Sequence, residues 1–139
     1  MESKPDTNEI KLEQTPVIKQ EAKLEVSPEI PQKIDYDTFR KVEMRVATVL
    51  EAESIQGADK ILRLMLDLGT EKRQLVAGIA KSYAPADLIG KQVVVVTNLQ
   101  PRKLRGVESN GMILAAGETA ENIVLLTIDR KVDNGLQVK

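Results

Sequence analysis

The chain has 139 residues, 20 lysines and arginines against 21 acidic residues, and neither histidine nor cysteine. That length allows about one domain, and the missing residue types exclude histidine- and cysteine-based catalysis, His/Cys zinc sites, thiol redox chemistry and disulfides. Three aromatic residues, Tyr36, Phe39 and Tyr83, are too few for the stacking platforms on which general single-strand binders hold bases.

Residues 1–33 hold four of the six prolines and no glycine, with five lysines against seven acidic residues. Their apolar side chains, among them Ile10, Val17, Leu24 and Ile30, keep no steady helical period, and Pro16 and Pro28 break any long helix. The composition predicts a flexible, charged tail or tether, with short helical pieces such as 17–24 as the alternative. No apolar run nears the ~20 residues that span a bilayer. The first residues have no apolar stretch of the secretory kind, so a cytoplasmic location and no membrane contact are expected.

The folded domain is expected over 34–139, where 15 basic residues face 14 acidic ones. Asp35 or Asp37 can cap a short helix through Thr38–Lys41. A first strand is predicted over 42–50. A second, 61–68, places Leu62, Leu64, Leu66 and Leu68 on one face with Arg63, Met65 and Asp67 on the other, the period-2 pattern of a half-buried antiparallel strand. Gly69-Thr70-Glu71 makes the turn into a third strand, 72–80. Pro85 at a first helical position and Gly90 after the last turn frame a second short helix. Strands follow around Val93–Val96, over 112–116 and over 123–128, with Gln137-Val138 as a last short one. Three strands, a helix and further strands fit a five-stranded Greek-key barrel of the OB type, with a short helix between strands three and four and extra C-terminal strands. A small sandwich would read similarly.

Two segments carry candidate chemistry, with a third set, Arg45, Lys72 and Arg73, near strand ends, of which Lys72-Arg73 also reads as the far side of a turn. In Asn98-Leu99-Gln100-Pro101-Arg102-Lys103-Leu104-Arg105-Gly106-Val107-Glu108-Ser109-Asn110-Gly111-Met112, three cations fall within four residues. A basic turn of this kind offers guanidinium and ammonium groups to phosphates, with Asn98 and Ser109 as hydrogen-bonding neighbours; the plainer alternative is a solubilising loop. Gly57-Ala58-Asp59-Lys60 is expected as the loop between the first two strands, one of the usual ligand edges of an OB barrel. Glu108 and Asp59 moderate the positive charge. No pair of carboxylates, nucleophile with a base, phosphate-binding glycine motif or metal-ligand spacing stands out, so no catalytic residue, metal or cofactor is expected.

These residues resemble the tRNA-binding-domain family in four ordered blocks. Phe39-Arg40-Lys41-Val42-Glu43-Met44-Arg45-Val46 is similar to its FxKVDLRV opening, Ala58-Asp59-Lys60-Ile61-Leu62 to its ADKL stretch, and Arg73–Ile79 to its RxVVSGI strand. Residues 98–112 resemble its NLKPRKLxGxxSxGM signature. The chain departs from the family at Ala77, where serine is common, and at Asp133-Asn134-Gly135, where the family often has Pro-Pro-Gly.

The resemblance covers about 34–139 and is strongest toward the C-terminal appendix of methionyl-tRNA synthetase. It implies an OB-fold that dimerises through the strands after the barrel and binds tRNA without chemistry of its own, lending affinity to the catalytic part of a synthetase. It further implies that Lys60, Arg102, Lys103 and Arg105 meet phosphates, while Asn98, Ser109 and Met112 meet a base or ribose. A bacterial branch of the family is linked to export as a chaperone, so a free-standing module that binds proteins or peptides is the alternative.

Overall fold

The structure, a computed structural model, describes residues 31–139; the expectation of a tether over 1–33 falls almost wholly outside them. The first element is helix α1 (Tyr36–Arg40). Of the two candidate caps it uses Asp35, whose carboxylate accepts from the Thr38 N–H at 2.8 Å. This holds the Asp35 carboxyl below its ordinary pKa.

Strands β1 (Met44–Ile55), β2 (Ala58–Asp67) and β3 (Lys72–Ala77) form an antiparallel meander. Helix α2 (Pro85–Leu88) leads to β4 (Gln92–Val96), which returns to pair with the first half of β1. A β-hairpin follows, made of β5 (Arg102–Leu104) and β6 (Val107–Ser109). Next come β7 (Met112–Ile113), β8 (Ala115–Ala116), a 3-10 turn (Ala120–Asn122), β9 (Val124–Leu125) and β10 (Gln137–Val138). The main sheet runs β3-β2-β1-β4-β7, with β10 also on β1. The fold is all-β and OB-like, with its short helix between β3 and β4.

β1 shows how the barrel curves. It pairs with β4 through Met44–Thr48 and with β2 through Thr48–Ile55, and its register with β2 slips between Val49 and Glu51. An extra residue at such a bulge bends the strand and raises its twist, so one strand serves two sides of the barrel. The alternation read in the sequence fills the interior: Leu62, Leu64 and Leu66 are fully buried with Val49, Leu75, Val93 and Val95. Each such side chain contributes roughly 1.5–3 kcal/mol by leaving water. Leu88 of α2 closes one end of this core. The segment after α2 is fastened by Gly90 N–H to Val49 O and Val49 N–H to Lys91 O, both 2.9 Å.

Several boundaries differ from the sequence expectation. β3 ends at Ala77 instead of running to 80. The predicted strand 112–116 is two short strands with different partners, β7 on β4 and β8 on β9. The predicted 123–128 strand keeps only Val124–Leu125, with a single bridge from Thr127 to Val93. Where the family often has Pro-Pro-Gly, Asn134 ties two strands: its Oδ1 accepts from Thr48 Oγ1 at 2.7 Å and from Gln92 Nε2 at 3.0 Å.

Candidate nucleic-acid interface

The expected basic loop is an ordered hairpin. Leu104 pairs with Val107, so Arg105 and Gly106 alone make the turn, with φ of 52° and 79°. Two positive φ values in a two-residue loop are the signature of a type I′ turn, which matches the twist of its strands. Gly106 takes this at no steric cost. Arg105 is the only non-glycine residue with positive φ among the described residues, and it projects from the apex.

Three hydrogen bonds fix the base of this hairpin to β3. The Asn110 N–H donates to Gln74 O at 3.0 Å, Gln74 Nε2 donates to Glu108 O at 3.0 Å, and the Val76 N–H donates to Ser109 Oγ at 3.0 Å. Gln74 is itself held by Arg63, whose Nε donates to Gln74 Oε1 at 2.9 Å. These contacts join the last strands of the barrel to β3 and so close it.

They also show how two of the expected contact residues are engaged within the fold. Ser109 is 4% exposed, and its hydroxyl replaces a backbone acceptor along the β3 edge. Asn98 lies at the surface, and its amide makes two backbone contacts. Its Oδ1 accepts from the Glu43 N–H at 2.9 Å and its Nδ2 donates to Lys41 O at 2.6 Å, which pins the link from α1 to β1. Both residues brace the backbone that carries the hairpin. Lys60 requires a correction: β1 and β2 extend further than expected, the turn shrinks to Gln56-Gly57, and Lys60 stands on β2.

The fold brings two segments far apart in sequence to one cleft of about 450 Å³, lined by Asp59, Lys60 and Ile61 on one side and Lys103, Leu104 and Arg105 on the other. Among the described residues no ion pair engages Lys60, Arg102, Lys103 or Arg105. Glu108 lies directly across the hairpin from Lys103, which tempers that lysine. Arg102 is exposed on β5 outside the cleft, and Met112, 49% exposed, pairs with Val96 on β4.

Other arginines have structural work. Arg45 donates to Gly135 O at 2.8 Å and pairs with Glu43 at 2.9 Å. Arg73 pairs with Glu71 at 3.0 Å and donates to Thr97 O. Sequence reasoning did not single out Gln74. Its signal was a lone uncharged polar residue opening the apolar run Leu75-Val76-Ala77. Nor did it single out Leu104, the apolar floor between two cations.

An OB-like barrel with a cleft between its first hairpin and the hairpin after strand four belongs to a class of folds that takes oligonucleotides and oligosaccharides at such edges. A family model described as "Putative tRNA binding domain" matches residues 44–137, and the chain belongs to this tRNA-binding-domain family. It is 53% identical over 105 residues to the methionine–tRNA ligase of Thermotoga maritima, a match that covers 76% of this chain and 16% of that protein. The chain spans 16–18% of the length of the curated relatives it matches. Among solved structures, it resembles a MetRS related protein from Pyrococcus horikoshii with a TM-score of 0.74 and 37% identity, over 78% of this chain and all of that one. A CsaA chaperone protein from Picrophilus torridus gives 0.69 and 26%, over 77% of this chain and all of that one.

Proposed function

We propose that the chain is a non-catalytic module that binds tRNA through the cleft between Lys60 and the 102–105 hairpin. The observation that carries this is the convergence of Lys60, Lys103 and Arg105 on one cleft, with no ion pair to any of them among the described residues. Arg102 adds a fourth phosphate contact beside the cleft, and Met112 an apolar one. Asn98 and Ser109 act as positioning residues. Recognition by backbone and shape suits a domain with three aromatics. The relatives support a role in lending tRNA affinity to an aminoacyl-tRNA synthetase, the methionyl enzyme first, with residues 1–33 as the tether that raises effective concentration and the cytoplasm as the location. Homodimerisation fits the exposed apolar residues on and just after β9, Val124 at 61% and Leu126 at 41%.

The test is a competition between tRNA and unstructured RNA of equal length, for wild type and the Arg102→Glu/Arg105→Glu double variant, at two salt concentrations. tRNA should win, and the double variant should lose it. With about three or four phosphate contacts, log K should fall against log salt with a slope of about −2 to −4. A salt-independent affinity, or an unaffected double variant, would sink this reading.

The second reading is a module that binds proteins or peptides, favoured by the likeness to the CsaA chaperone structure. Peptide binding has no need of the hairpin cations and would survive the double variant.

A further inference from the structure

Beside the cationic cleft lies a larger one, of about 910 Å³. The two share Ala58, Asp59 and Ile61, so the start of β2 is the partition between them. The far wall of the larger cleft is the segment 80–85, and this wall is built. Ser82 Oγ donates to Ala120 O at 2.7 Å and accepts from the Ile123 N–H at 3.0 Å. The Tyr83 hydroxyl accepts from the Leu125 N–H at 3.1 Å. Ala80 N–H donates to Lys60 O at 3.2 Å and joins the two walls at the base. The walls of this open groove are therefore held in place by the fold, and it is wide enough to seat a base.

Its chemistry is mixed. Ile55, Ile61 and Tyr83 give an apolar lining, and Ser54, Asp59 and Lys81 give polar groups. Lys81 meets Glu121 only at 4.0 Å, the outer limit of an ion pair, and can swing to another anion. An unpaired nucleotide matches this set: a base has an apolar face and a hydrogen-bonding edge, and it carries a phosphate.

We propose that the larger cleft receives an unpaired nucleotide of the same RNA whose backbone lies in the cationic cleft, with its base against Ile61 and Tyr83 and its phosphate on Lys81. This rests on the RNA-binding reading above and deepens it: the preferred ligand is a folded RNA with an unpaired nucleotide next to its helical body.

The experiment compares tRNA with a blunt, fully paired RNA duplex of similar length. It uses wild type, Ala84→Trp and Ser54→Trp, which fill the cleft from opposite walls at exposed positions, Lys81→Gln, and Arg102→Glu/Arg105→Glu. Circular dichroism and a melting curve accompany each variant. Wild type should bind tRNA at least about fivefold tighter than the duplex. Both tryptophan variants should drop tRNA to the duplex level and leave duplex binding unchanged, and Lys81→Gln should lose part of the same preference. The double variant should weaken both RNAs. If both folded tryptophan variants keep the preference, or if wild type binds both RNAs equally while the double variant weakens both, the inference falls and the RNA-binding reading stands. If wild type binds neither RNA, both fall together.

Discussion

Arg105 holds a left-handed backbone at the apex of a hairpin whose next residue is glycine. An L-residue other than Gly, Asn or Asp loses roughly 1–2 kcal/mol there, and Asn-Gly is the preferred pair for this turn. Arg105→Asn should therefore raise stability by about 0.5–1 kcal/mol in denaturant titrations while tRNA affinity falls several-fold. The salt slope of binding should shrink by about 0.7–0.9, one phosphate contact. Ser109 makes the opposite trade. Ser109→Ala leaves the buried Val76 N–H without its acceptor, and equilibrium unfolding should show a loss of about 1–3 kcal/mol. At this scale the sequence was legible for charge and blind for hydrogen bonding. An arginine in a turn has few roles away from solvent. A serine or asparagine beside it satisfies a backbone group as readily as a ligand, and only the fold shows that Ser109 and Asn98 do the former.

Among the elements, the C-terminal turn illustrates how backbones can interlock. Gly135 sits at φ 91°, and a Cβ there would lie 2.4 Å from Leu68 O. Its N–H donates to Val46 O at 2.7 Å, and its carbonyl accepts from Arg45. Gly135→Ala thus meets both strain and a backbone clash, and should cost upward of about 3 kcal/mol. Gly106→Ala has a similar φ of 79° but open space around it, and should cost only about 1–2 kcal/mol. Thermal melts of the two variants, which carry the same chemical change, separate close packing from dihedral strain. The period-2 leucines of β2 made the core readable in advance. The two-residue strands β7, β8 and β9 were not, because in so short a piece the partner that the barrel supplies, and not local pattern, decides the pairing.

At the scale of the whole molecule, one network ties stability to acid pH. Glu43 accepts from Arg45 and from Thr97, and these bonds hold its carboxyl below the ordinary 4.5. A carboxylate with a folded pKa lower than its unfolded one stabilises the fold fully above the unfolded value. It loses that contribution as pH falls through the lower one. Glu43→Gln should flatten the decline of stability below about pH 4.5, by no more than about 1 kcal/mol because the pair is well exposed. At neutral pH the prediction is flatness. The chain has no histidine, the side chain that ordinarily changes charge between pH 5 and 8, so titrations at pH 6, 7 and 8 should return one tRNA affinity. The overall charge of −1 gave no hint of a polyanion partner. That expectation came instead from the family resemblance of 58–62 and 98–112.

The seam that shuts the barrel and the arm that carries the cations are one continuous stretch, 102–111. Anyone transplanting this binding activity to another small barrel could not graft the apex alone. Gln74, Val76 and the seam residues would have to travel with it, because without them the arm has nothing to hold it in place. Conversely, the apex lies outside the seam, so its residues can change while the barrel stays closed.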